Sequence, residues 1–116
     1  AYGYRCAFCG VRLRAGNERS LVEAAHIIPW HQTHDDRPQN GLSLCPVCHW
    51  AFDARLVAVE TDLTIKLHSR IQLDGNIPGH LATLQGRPIF RPSEARYAPD
   101  PECLSQHLRA FESDHT

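Results

Sequence analysis

The 116-residue chain is 42% hydrophobic and carries a formal net charge of -1 at pH 7, which bounds it to one domain with a small core that needs a staple. No apolar run approaches the roughly 20 residues that cross a bilayer, and no basic, then apolar, then small-residue export signal opens the chain, so no membrane partner and a cytoplasmic location are expected. The missing basic excess argues against a module that holds nucleic acid by bulk charge, although every basic residue except Lys66 is an arginine, the side chain best shaped for bidentate phosphate contacts.

The opening AYGYRCAFCGVRL has no solvated leader and reaches its first cysteine at position 6, which reads as part of a longer protein. Residues 21–28 form an apolar run interrupted by Glu23 and His26 and ended by Pro29, the pattern of a strand. From 30 to 41 the chain turns polar, with Asp35, Asp36, Pro38, Asn40 and Gly41, and reads as a long loop. Loops of that length inside compact domains usually serve function. Residues 42–44 can pair as a second strand. Pro46 then opens a helix at a position where its missing N–H costs nothing, and that helix carries Cys48, His49, Phe52 and Asp53. Residues 56–60 and 64–68 predict a hairpin around Thr61 and Asp62. The stretch 75–99 is rich in Gly and Pro and is expected to be irregular, with a short helix near 81–85. Asp100 as N-cap, Pro101 at the first helical position, and Leu104, Leu108 and Phe111 on one face predict a final helix.

Four of the five cysteines fall into two C-x-x-C pairs, Cys6 with Cys9 and Cys45 with Cys48, and Cys103 is left over. Paired thiolates at this spacing occupy two corners of a tetrahedron, so the two pairs together predict a four-thiolate zinc site. Four protein ligands leave no open position for substrate, which makes such an ion structural and puts any chemistry elsewhere. The alternatives are buried free thiols and a redox C-x-x-C. The redox site would need a single pair in a βαβ setting, and no such pattern is present.

Outward from the cysteines the chain reads EAAHIIPW around His26, QNGLSLC around Asn40, and CPVCHWAFD around His49 and Asp53, with spacings of fourteen and nine residues from His26 to Asn40 to His49. Over residues 6–56 this order resembles the HNH endonuclease family, in which two strands and a helix form a ββα-metal site, often pinned by C-x-x-C knuckles. The resemblance implies an α+β fold of the small ββα-metal (HNH, His-Me finger) type, with a core at about 21–56, flanking helices and a C-terminal extension over 57–116. It also implies hydrolysis of DNA phosphodiester bonds with the help of a divalent ion such as Mg²⁺ or Mn²⁺.

Phosphodiester hydrolysis needs an activated water, charge neutralisation on the phosphoryl oxygens and help for the leaving alkoxide. The resemblance makes His26 the general base, since a neutral imidazole can take a proton near neutral pH. It makes His49 a ligand of the catalytic ion, and Asp53, one helical turn later, can share that ion or anchor the helix end. Asn40 is expected to stabilise the loop, with metal contact as its alternative role. Many family members place an aspartate or histidine ligand directly before the base, whereas this chain has Ala25. Glu23, on the same strand face as Ala25 by alternation, can fill the vacancy or play a buried structural part. His26 projects to the opposite face.

Arg5, Arg37 and Arg55 lie near the site in sequence and can clamp phosphates or merely be solvated. His31 and His34 receive no catalytic role, and Trp30 and Trp50 are expected to pack around the knuckles. The arrangement further resembles the C-terminal cutting domains of modification-dependent restriction enzymes, which implies DNA as partner, an upstream recognition domain and dimerisation for double-strand cleavage. Two rivals are a non-catalytic zinc module that binds nucleic acid or protein, and a deaminase-type zinc enzyme. The latter lacks its H-x-E signature here.

Overall fold

A computed structural model describes residues 2–16, 19–73 and 80–113. Two short strands, β1 (Arg14–Ala15) and β2 (Arg19–Ser20), form a hairpin that no alternation in the sequence signals. Next, β3 (Glu23–His26) leads into the short helix α1 (Trp30–Thr33) and a 3₁₀ turn at Pro38–Asn40. The strand β4 (Gly41–Leu44) then runs directly into α2 (Pro46–Asp53). A second hairpin, β5 (Val57–Val59) and β6 (Ile65–Leu67), is followed by α3 (Arg70–Leu73) and 3₁₀ turns at His80–Leu84 and Ala95–Tyr97. The last helix is α4 (Pro101–Ser113). Among the described residues this is an α+β architecture of three antiparallel two-stranded ribbons braced by helices. No helix among the described residues is long and apolar enough to cross a membrane.

The strand expected over 21–28 contracts to Glu23–His26, and its register explains why. Glu23 pairs with Leu44, Ala24 with Ser43, Ala25 with Leu42 and His26 with Gly41, so β3 can be no longer than its partner. Ile27 adds one more ladder bond, to the Asn40 carbonyl at 2.9 Å. The N–H and C=O of Ile28 then go to the Asn40 side chain, which ends the ribbon by replacing a strand with an amide. The segment 30–41 is more ordered than a loop. Helix α1 closes at His34, which is left-handed at φ 53 and returns its N–H to the Trp30 carbonyl.

Buried Ala25, Leu42 and Leu44 of the first ribbon, Phe8 of the first knuckle, and Ala51 and Phe52 of α2 share one core with Val57, Val59 and Ile65 of the second ribbon. Phe8 and Phe52 meet at 5.8 Å between ring centroids, tilted as aromatic pairs prefer. The final helix is capped as its sequence predicts: Asp100 Oδ1 accepts the Glu102 N–H at 2.9 Å, and Leu104 and Phe111 are buried while Leu108 is half-buried. Helix α4 packs on β5 and also grips the end of α2. The His107 ring stacks on Phe52 at 3.7 Å, and its Nε2–H donates to the Phe52 carbonyl at 3.0 Å.

Trp30 and Trp50 depart from expectation. Trp50 is 67% exposed and Trp30 48%, so neither is packed into the core around the knuckles. The short helix expected near 81–85 is the 3₁₀ turn His80–Leu84, and part of the irregular stretch, 75–79, lies outside the described residues. Phe111 is fully buried at the α4 interface, so Phe111→Ala is expected to lower unfolding free energy by about 3–5 kcal/mol, read from a denaturant titration. A change below about 1 kcal/mol would show that α4 is not docked.

Candidate active site and metal centre

The two knuckles are built differently. At the first, the chain reverses between Cys6 and Gly10, whose N–H bonds the Cys6 carbonyl at 3.0 Å. Gly10 has φ +82, and a Cβ there would lie 2.8 Å from the Phe90 ring, so backbone and packing both demand glycine. At the second, Cys45 is the N-cap of α2, and its Sγ faces the Cys48 N–H at 3.5 Å while Pro46 starts the helix. The Ala7 N–H donates to the Ser43 carbonyl at 2.7 Å and joins the first knuckle to β4.

All four sulfurs lie within 4.8 Å of one another. A tetrahedron with bonds of about 2.3 Å has edges of about 3.8 Å, and Cys9 Sγ and Cys45 Sγ stand 3.8 Å apart. The four cysteines are positioned to bind one metal ion. Their acidities are pulled apart by this crowding: the hydrogen bond from Cys48 lowers Cys6 to about 4, burial raises Cys9 to about 11, and Cys48 is pushed well up because it donates to Cys6. Four thiolates can coexist here only with a cation among them.

His26, at the end of β3, is half-buried, and its Nε2 lies 2.9 Å from Asp36 Oδ1. Asn40 is wholly buried. Its Oδ1 accepts the Ile28 N–H at 2.9 Å, and its Nδ2 donates to the carbonyls of Ile28 at 3.1 Å and Asp35 at 2.9 Å. Those bonds tie the strand end after His26 to the loop that carries Asp36.

On α2, His49 stands between two carboxylates, with Nδ1 2.9 Å from Glu23 Oε1 and Nε2 3.2 Å from Asp53 Oδ2. A neutral imidazole has one N–H, so one of these contacts sets a lone pair against a carboxylate oxygen. A proton or a divalent cation relieves that conflict; because the two carboxylates face different ring nitrogens, an ion on either nitrogen has one of them beside it, and an imidazole with a carboxylate suits a hard or borderline ion. The Glu23 side chain is 53% exposed, which removes the buried structural role the sequence left open for it. Ala25 is buried in the core, so the position before His26 offers no ligand.

His26 and Asp53 line one hollow of about 190 Å³ together with Pro29, Arg55, Gln106 and His107. His49 is not on its wall; Asp53 connects the two. Of the three predicted phosphate-binding arginines, Arg55 lines this hollow. Arg37 is a tether: it holds Asp35 through Nε and Nη2 at 2.9 Å each and reaches Asp100 at 3.0 Å. Arg5 donates to the Gly10 carbonyl at 2.7 Å and lies over the Phe90 ring, bracing the first knuckle.

The family model described as HNH endonuclease matches residues 6–60. Among solved structures, a modification-dependent TagI restriction endonuclease is similar over 97% of this chain, with a TM-score of 0.63 and 24% sequence identity. This chain spans 34% of the length of that one. No curated protein matches the chain significantly.

The segment matched by the family model ends at residue 60, before the third wall of the hollow. Gln106 and His107 come from α4, and nothing in the sequence ties that helix to the motif. His107 carries a faint sequence signal, a histidine one position off the apolar face of Leu104, Leu108 and Phe111. Asp36 was legible only as half of an acidic pair in a loop. The sulfur geometry predicts one tightly held metal ion per chain by elemental analysis. Cys48→Ser is expected to lose it and to lower thermal stability, and the parent is expected to release it as pH falls because protons compete for the thiolates.

Proposed function

We propose that the chain is the cleavage domain of a metal-dependent DNA endonuclease acting in the cytoplasm, with zinc in the four-cysteine centre as a structural ion. The observation that carries this reading is the hollow lined by both His26 and Asp53, the latter 3.2 Å from His49 Nε2. His26 takes a proton from the attacking water. Asn40 holds the loop and the strand end around that imidazole. His49, with Asp53 or Glu23 as candidate co-ligand, would hold Mg²⁺ or Mn²⁺, which when bound supplies charge neutralisation at the phosphate. Arg55, which also lines the hollow, would contact a phosphate oxygen.

The likeness to a modification-dependent enzyme supports a restriction role, with an upstream domain recognising the DNA and two copies meeting on it for double-strand cleavage. A net charge of -1 fits a cutting module whose affinity comes from such a partner.

A plasmid nicking assay with Mg²⁺ or Mn²⁺ tests the reading. His26→Ala is expected to slow cleavage by about 10²–10⁴-fold with the structural metal retained. His49→Ala is expected to weaken the response to added divalent ion. Cleavage by His26→Ala at the parent rate would remove it from the role of base, and cleavage indifferent to EDTA would remove the catalytic ion.

A further inference from the structure

The segment between α1 and β4 is held in place from several sides. Asn40 bonds the Asp35 carbonyl, and Arg37 grips the Asp35 carboxylate and crosses to Asp100 at the start of α4. Gln39 Nε2 donates to the Arg96 carbonyl at 2.7 Å, and its own carbonyl accepts the Asp100 N–H at 2.8 Å. Between these anchors stands Asp36. One carboxylate oxygen is 2.9 Å from His26 Nε2, and the other accepts the Trp30 indole N–H at 3.1 Å. The hydrogen bond with His26 holds the Asp36 carboxyl below the usual carboxylate range, so it is anionic at neutral pH.

A carboxylate can only accept, so an imidazole beside it places its proton on the facing nitrogen. Here that nitrogen is Nε2. His26 Nδ1 has no partner among the described residues, and the ring lies on the wall of the hollow. We infer that Asp36 is a positioning residue for His26, fixing the Nε2–H tautomer so that Nδ1 is the atom that takes the proton from water. The inference rests on the reading of His26 as the base. When Nδ1 accepts that proton the ring becomes an imidazolium, and the Asp36 carboxylate beside it offsets the new charge. Trp30 has its part here: its indole N–H turns the carboxylate, which accounts for a tryptophan left half exposed.

With side-chain exposures of 71% for Asp36 and 39% for His26, the pair adds little to folding. A merely structural role therefore predicts an almost silent Asp36→Ala variant. As a positioning residue, Asp36→Ala is expected to lower kcat by about 10–100-fold with KM and divalent-ion dependence unchanged, and Asp36→Glu to recover part of the loss. The direct readout is ¹⁵N NMR of the His26 ring in the full chain, well above the ordinary imidazole pKa of about 6.5. The parent is expected to show the Nε2–H tautomer, and Asp36→Ala a mixture. An unchanged tautomer, an unchanged kcat, or a defect confined to KM or metal affinity overturns the inference. Should His26→Ala cleave normally, the base assignment fails, while the ring spectrum still decides whether Asp36 sets the tautomer.

Discussion

Four sulfur atoms within 4.8 Å of one another set the main constraint on this fold. Ionising one thiol makes it harder to ionise its neighbours, so the cluster holds together in low-dielectric surroundings only if protons or a cation balance the charge. The consequence is mechanical. One pair sits in the reversal before Gly10 and the other caps α2, so closing the cluster decides where the helix starts relative to the first knuckle. Phe8 then lies against Phe52, Ala7 bonds Ser43, and the register of β3 on β4 brings Glu23 up to His49. A domain with so small a core gains its rigidity from that junction.

Asn40 is a second fixed point, and a different kind of one. A buried amide must find partners for its donors and acceptor, and this one finds them in the backbone of Ile28 and Asp35. The two segments it joins carry His26 and Asp36. Stability and site geometry are therefore met by the same three hydrogen bonds, and the loop is rigid where a polar twelve-residue segment would otherwise be free to wander.

The charge balance follows from how the arginines are used. Arg37 neutralises Asp35 and Asp100, and Arg5 serves the first knuckle. Both hold the fold together and are not presented as a basic face.

How far the residues could be read in advance differs by interaction range. The cysteine pairs, the order His26, Asn40, His49, the helix opened by Pro46 and the hairpin around Asp62 depend on short spacings, and local spacing is what a chain displays before folding. The β1–β2 hairpin and α1 escaped because each is too short for a periodic signal. Asp36 facing His26, Glu23 facing His49, Arg37 crossing to Asp100, and His107 closing the hollow from α4 all join residues that only packing brings together. The amino-acid sequence by itself determined which groups could bind metal and move a proton. Tertiary structure alone decided which carboxylate each imidazole faces, because that choice depends on strand register and helix docking, not on neighbours along the chain.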